Sequence, residues 1–72
     1  MSQSTIEVRL NGDPIRCPEG LSLLQLLELR GYKPQLVVAE FNGEILPRAR
    51  WADQPVREAD VVEVVTIVGG GS

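Results

Sequence analysis

The residues of this chain that could take part in chemistry are few, and the most distinctive stand at one end. Val61-Val62-Glu63-Val64-Val65-Thr66-Ile67-Val68 is a strongly β-prone run that passes directly into Gly69-Gly70-Gly71-Ser72. Three consecutive glycines carry no Cβ, so they can thread a channel that a side chain would block and can take backbone conformations other residues avoid. Read alone, the same four residues also match a flexible linker. Elsewhere the chemistry is sparse. There is no histidine and a single cysteine, Cys17, so neither an internal disulfide nor a Cys/His metal cluster is expected. The acidic residues are scattered, and no pair stands out as a general acid and base. Arg48 and Arg50 could meet a partner or a phosphate, but they fit a solvated loop equally well. Together these residues argue against an enzyme in its own right.

A tail of this kind needs a body to present it. The chain has 72 residues and reads as one domain, with residues 1–4 expected to be disordered and 69–72 to form a flexible functional tail. A chain this short hides only about 60% of the surface its unfolded form exposes, so its stability is expected to be modest. Seven basic side chains stand against ten acidic ones. That balance argues against nucleic acid as the main partner, because phosphate binding calls for a basic face, and it suits a basic protein partner better. Met1-Ser2-Gln3-Ser4 lacks the pattern of a signal peptide, and no apolar stretch approaches the roughly 18 residues of a membrane span. The expected location is the cytoplasm, with no membrane contact.

The order of elements follows from pattern and turn chemistry. Thr5-Ile6-Glu7-Val8-Arg9-Leu10 alternates apolar and polar residues, which predicts a half-buried strand with Ile6, Val8 and Leu10 inward. Asn11-Gly12 is a two-residue hairpin signal, and Asp13 to Cys17 returns with Ile15 opposite Val8 and Cys17 opposite Ile6. Cys17 therefore reads as an inert core thiol. Pro18-Glu19-Gly20 breaks the strand. Ser22 with Gln25 three residues on is a capping-box pattern, predicting a helix from about Leu23 to Arg30 that Gly31 ends. Leu23, Leu26 and Leu27 form its buried stripe, with Leu24 and Leu29 half exposed. A third strand is expected over Leu36 to Phe41, a second Asn-Gly turn at Asn42-Gly43, and a short return over Glu44-Ile45-Leu46. Trp51 sits in the following connector and is expected to close one end of the core. The final apolar strand belongs in the middle of the sheet, parallel to the first. That arrangement is an α+β, ubiquitin-like β-grasp: a mixed sheet of four to five strands packed on one helix.

Glu63 assigns the faces of the last strand, because burying an unpaired carboxylate costs far more than burying a valine gains. Val61, Val65 and Ile67 then share the open face with Glu63, and Val62, Val64, Thr66 and Val68 turn toward the helix. Glu40 sorts the third strand the same way, leaving Leu36 and Val38 open. Leu36, Val38, Val65 and Ile67 are thus expected to form an apolar partner-binding patch beside the tail.

At this point the residues resemble a known family, the ThiS-type sulfur carriers of thiamine (thiazole) biosynthesis. The resemblance spans about Ile6 to Gly71. Its most specific segment is Asn42-Gly43-Glu44-Ile45-Leu46-Pro47-Arg48-Ala49-Arg50-Trp51, similar to the family's N-x-x-I-V-P-R-x-x-W run. Asp60-Val61-Val62-Glu63-Val64-Val65 leading to Val68-Gly69-Gly70-Gly71 is the second. Ala59 departs from the family's usual glycine, and Ser72 lies beyond the glycine whose carboxylate the family uses. The resemblance implies a carrier, not a catalyst. Gly71 would be the covalent site, adenylated by a ubiquitin-activating-type enzyme that uses ATP, then converted to a thiocarboxylate with sulfur from a persulfide donor. Gly69 and Gly70 would complete the tail. Thiazole synthase would consume the sulfur, and the carrier itself would bind no cofactor and no metal. The same fold and ending also suit a molybdopterin-synthase small subunit or a ubiquitin-like protein modifier, although Pro47-Arg48 and Trp51 favour the thiamine branch. A different class, a β-grasp protein-binding module with an artificial Gly-Ser end, also stays open.

Overall fold

The computed structural model describes residues 4–67. Five strands form one sheet: β1 (Thr5–Leu10), β2 (Asp13–Pro18), β3 (Val37–Phe41), β4 (Glu44–Ile45) and β5 (Val61–Thr66), in the order β2-β1-β5-β3-β4. The last strand occupies the centre. It runs parallel to β1, with Arg9 beside Val61 and Leu10 beside Val62, and antiparallel to β3, with Val38 beside Val65 and Glu40 beside Glu63. The single helix α1 (Leu23–Leu29) packs on one face. This is the expected β-grasp.

Both hairpins turn where the Asn-Gly pairs stand. Asn11 and Gly12 have φ of 53° and 86°, and Asn42 and Gly43 have 52° and 90°. These left-handed values match the twist of the flanking strands, and asparagine and glycine reach them more cheaply than other residues. The β1–β2 register places Val8 opposite Ile15 and Ile6 opposite Cys17, as the alternation requires. Ser22 and Gln25 close the capping box: Ser22 Oγ accepts from the Gln25 N–H at 3.1 Å, and Gln25 Oε1 accepts from the Ser22 N–H at 2.9 Å. At the other end the Tyr32 N–H donates to Leu27 O and the Gly31 N–H to Glu28 O, which is a Schellman ending. The helix stops at Leu29, with Arg30 as its cap, one residue before the expected end.

The core lies between α1 and the inner face of the sheet. Leu23, Leu26 and Leu27 meet Val8, Leu10, Val37, Ala39, Val62 and Val64, while Leu24 is half-buried. Trp51, only 1% exposed, closes one end from a 3-10 turn over Arg48–Asp53, and its indole Nε1–H donates to Leu46 O at 2.8 Å. Four expectations change. Leu29 is well exposed, since the stripe of a short helix reaches only three leucines. Leu36 belongs to a 3-10 turn (Pro34–Leu36) that precedes β3, and Leu46 falls outside β4. Thr66, assigned to the inner face, is exposed to solvent: the described part of β5 reaches beyond the end of the core there, so a hydroxyl is tolerated.

Ala59 holds φ of +74° in the turn that launches β5. Its N–H donates to Glu7 O at 2.8 Å, and Asp60 Oδ2 accepts from the Arg57 N–H at 2.8 Å. A side chain in this conformation costs about 1–2 kcal/mol, part of which glycine gives back through its freer unfolded chain. Ala59→Gly should therefore stabilise the domain by roughly 0.5–1 kcal/mol, a rise of a few degrees in melting temperature. An unchanged or lower midpoint in a thermal melt would show that the turn carries no such strain.

Candidate functional site

The two turn asparagines do more than reverse the chain. Asn11 Oδ1 accepts from the Val64 N–H at 2.7 Å, and its Nδ2 donates to the Tyr32 hydroxyl at 3.3 Å. Asn42 Oδ1 accepts from the Val61 N–H at 2.9 Å, and its Nδ2 donates to Asp60 Oδ1 at 3.1 Å. Each hairpin thus reaches sideways and grips β5, the strand that leads to the glycine run. Side-chain oxygens here replace ladder bonds that the turning backbone cannot make.

On the open face the apolar residues converge as expected. Val38 and Val65 are cross-strand partners, and the Ile67 N–H donates to Leu36 O at 2.6 Å, so Leu36 and Ile67 also lie side by side. Leu36 is 45% exposed, Val38 42%, Val65 61% and Ile67 48%, values that place all four at the surface without a cover. Ile45 joins them. It pairs with Glu40 across the second hairpin and is 72% exposed, so it stands on the same face. The signal for Ile45 was present in the Asn42-Gly43 turn: a two-residue turn sets Ile45 opposite Glu40, hence on the side that glutamate marks. Val61, assigned to the open face, is half-buried beside Arg9.

Charge borders the patch. Glu40 and Glu63 are exposed and directly opposite one another. Like charges so placed repel, although water and salt screen them. Among the described residues the one ion pair joins Arg16 and Glu7 at 3.9 Å, with both side chains exposed, so it adds little. Arg9 turns to its own hairpin, where a guanidinium N–H meets Gly12 O at 3.2 Å. The open face therefore offers an apolar surface beside two adjacent carboxylates, complementary to a partner with apolar side chains and a nearby cation.

Cys17 is buried in the core, and burial raises its thiol pKa, with a weaker opposing pull from Arg30. A protonated, enclosed thiol is a poor nucleophile. Among the described residues no three His, Cys, Asp or Glu side chains come together as a metal site, and no helix is long and apolar enough to cross a membrane. Gly69, Gly70, Gly71 and Ser72, with Val68, lie outside the described residues.

Comparison with known proteins decides what this body belongs to. The ThiS family model matches residues 8–71. The chain belongs to the ThiS family. It is 41% identical over 64 residues to the sulfur carrier protein ThiS of Thermus thermophilus, covering 89% of this chain and 98% of that one. A crystal structure of the thiamine biosynthesis protein ThiS from Geobacter metallireducens superposes with a TM-score of 0.78 at 32% identity, over 92% of this chain and all of that one. A protein of Magnetococcus marinus named thiazole synthase is 33% identical over 66 residues, which is 92% of this chain but 20% of that longer protein. The Thermus relative within that family is named a sulfur carrier. The match spans Gly69, Gly70 and Gly71.

Proposed function

We propose that this chain carries sulfur for thiazole ring formation in thiamine biosynthesis, with Gly71 as the covalent site. A carboxylate is a poor electrophile until it acquires a good leaving group. An ATP-dependent adenylating enzyme would supply one by forming the acyl-adenylate with release of pyrophosphate; the terminal sulfur of a persulfide donor would then expel AMP to form an acyl disulfide, and a thiol reductant would cleave its S–S bond to leave the thiocarboxylate. Three extended glycines reach roughly 10 Å, enough to enter a cleft too narrow for the folded body. The open face of Leu36, Val38, Val65 and Ile67 would hold that body against the enzyme while the tail enters.

The observation that carries this reading is the family match extending through Gly71 on a body that exposes an apolar face beside the strand leading there. The Magnetococcus protein supports thiazole synthase as the acceptor: a segment similar to this chain lies within a protein of that name. The reading is tested by mixing the protein, shortened to end at Gly71, with ATP, the adenylating enzyme of its own host, a persulfide donor and a thiol reductant, then weighing it intact. A species whose mass reflects one oxygen replaced by one sulfur is expected, confined to the C-terminal peptide and consumed on adding thiazole synthase. A mass that never changes would refute the carrier role. A sulfur-bearing form that thiazole synthase ignores would refute the thiamine assignment alone.

A further inference from the structure

Peptide groups alternate in direction along a strand, and β5 shows the alternation residue by residue. Its odd positions face β3: the Asn42 N–H donates to Val61 O at 2.7 Å, and the Ile67 N–H to Leu36 O at 2.6 Å. Its even positions face β1: the Asn11 N–H donates to Val62 O at 2.9 Å, and the Val64 N–H to the Asn11 side chain. There β1 turns away. Among the described residues nothing donates to Val64 O and nothing accepts from the Thr66 N–H, though both point toward the β1 side. One residue of a strand parallel to β5 would satisfy both groups at once, by donating to Val64 O and accepting from Thr66 N–H. This is the next position in the register that β1 occupies up to Asn11.

The outer edges of the sheet offer no such place. On β2 the residues whose peptide groups face outward are Pro14, Arg16 and Pro18, since Ile15 and Cys17 lie in the register that bonds to β1. Proline has no N–H, so two of these three positions cannot donate. On the opposite edge β4 spans two residues. Strand addition is thereby blocked or curtailed at both rims and left open in the middle, beside Val65 of the apolar patch.

We propose that the adenylating enzyme docks by adding an extended main-chain segment to β5 in this gap, parallel to it and bonded to Val64 O and Thr66 N–H. The occupant must carry a backbone donor and acceptor spaced as in a strand, which is what the gap lacks. Such pairing fixes β5 in register immediately before the glycine run, and so aims the Gly71 carboxylate. The identity of the partner rests on the carrier reading given above; the gap itself rests on the hydrogen bonds of the sheet.

Amide hydrogen exchange by NMR, with and without saturating adenylating enzyme from the same host, tests it. In the free protein the Thr66 amide should exchange freely while Val64 and Ile67, both bonded, stay protected. Bound enzyme should slow Thr66 by at least about tenfold. Thr66→Pro removes only an unbonded donor, so it should weaken binding by about tenfold with an unchanged melting temperature. Should proline disturb the strand, an amide-to-ester replacement at Thr66 removes the same N–H without constraining φ. Enzyme binding that leaves Thr66 exchange unaltered, or unaltered affinity in the ester form, overturns the proposal and leaves the carrier reading intact. Protection that rises with protein concentration in the absence of enzyme would assign the gap to a second copy of this chain and also overturn it. If the enzyme does not bind the protein at all, the carrier reading fails and the proposal falls with it.

Discussion

Val64→Asp is expected to unfold the domain, whereas Val65→Asp, the next residue along β5, should leave it folded and abolish docking on the adenylating enzyme. Val64 is 8% exposed and faces the helix; Val65 is 61% exposed and faces outward. A carboxylate at position 64 would have no partner in an apolar core, at a cost of several kcal/mol. Domains of this size have about 4–11 kcal/mol in total, so the loss consumes much or all of it. At position 65 the penalty is the lower strand preference of aspartate, about 1 kcal/mol or less. The same charge would lie in the middle of the apolar patch, where binding would have to strip its water. Circular dichroism melts and titration with the enzyme separate the two effects. Equal loss of stability in both variants would contradict the assignment of faces.

The second large effect concerns Ser72. Protein ending at Gly71 should gain sulfur, and protein ending at Ser72 should fail to do so unless the serine is first removed. With Ser72 attached, the Gly71 carbonyl is an amide, which adenylation of a carboxylate cannot use. The free carboxylate then sits on Ser72, one residue or about 3.5 Å beyond the position the tail should deliver. It also brings a Cβ and a hydroxyl into a channel shaped for glycine. Displacement by even 1 Å can cost on the order of a hundredfold in rate. Intact masses of the two forms after incubation with ATP, enzyme and sulfur donor decide the matter. A Ser72 form that gains sulfur at the rate of the Gly71 form, and keeps its serine, would defeat this expectation.

Most of the frame was legible because each signal acts over a few residues. Asn-Gly dictates a tight turn, a tight turn dictates register, and register carries the faces assigned by Glu40 and Glu63 across the sheet. What escaped depends on contacts between distant segments. No local pattern says that Asn11 and Asn42 will bond the amides of β5, since both bonds exist only once β5 lies between their hairpins. Alternation turns Thr66 inward, which is correct for direction but silent on where the core ends. Ala59 has no preference for a left-handed backbone, so its φ follows from the turn that must bring Val61 beside Arg9. For the patch, the four expected residues meet, and Ile45 joins them through the register that the Asn42-Gly43 turn sets.

The parallel pairing of β1 with β5 also sets how the domain answers to tension. A motor or protease that pulls on the chain beyond Thr66, while the segment before Thr5 is held, drags the two strands past each other along their axis. Their shared hydrogen bonds are then loaded together in shear, not peeled open one at a time. The ladder to β3 and the grips of Asn11 and Asn42 share that load, because they hold the same strand. Forced unfolding is governed by the rate of crossing the unfolding barrier and not by equilibrium stability alone. A domain of modest thermal stability can therefore be mechanically stubborn along the one axis on which its tail is gripped.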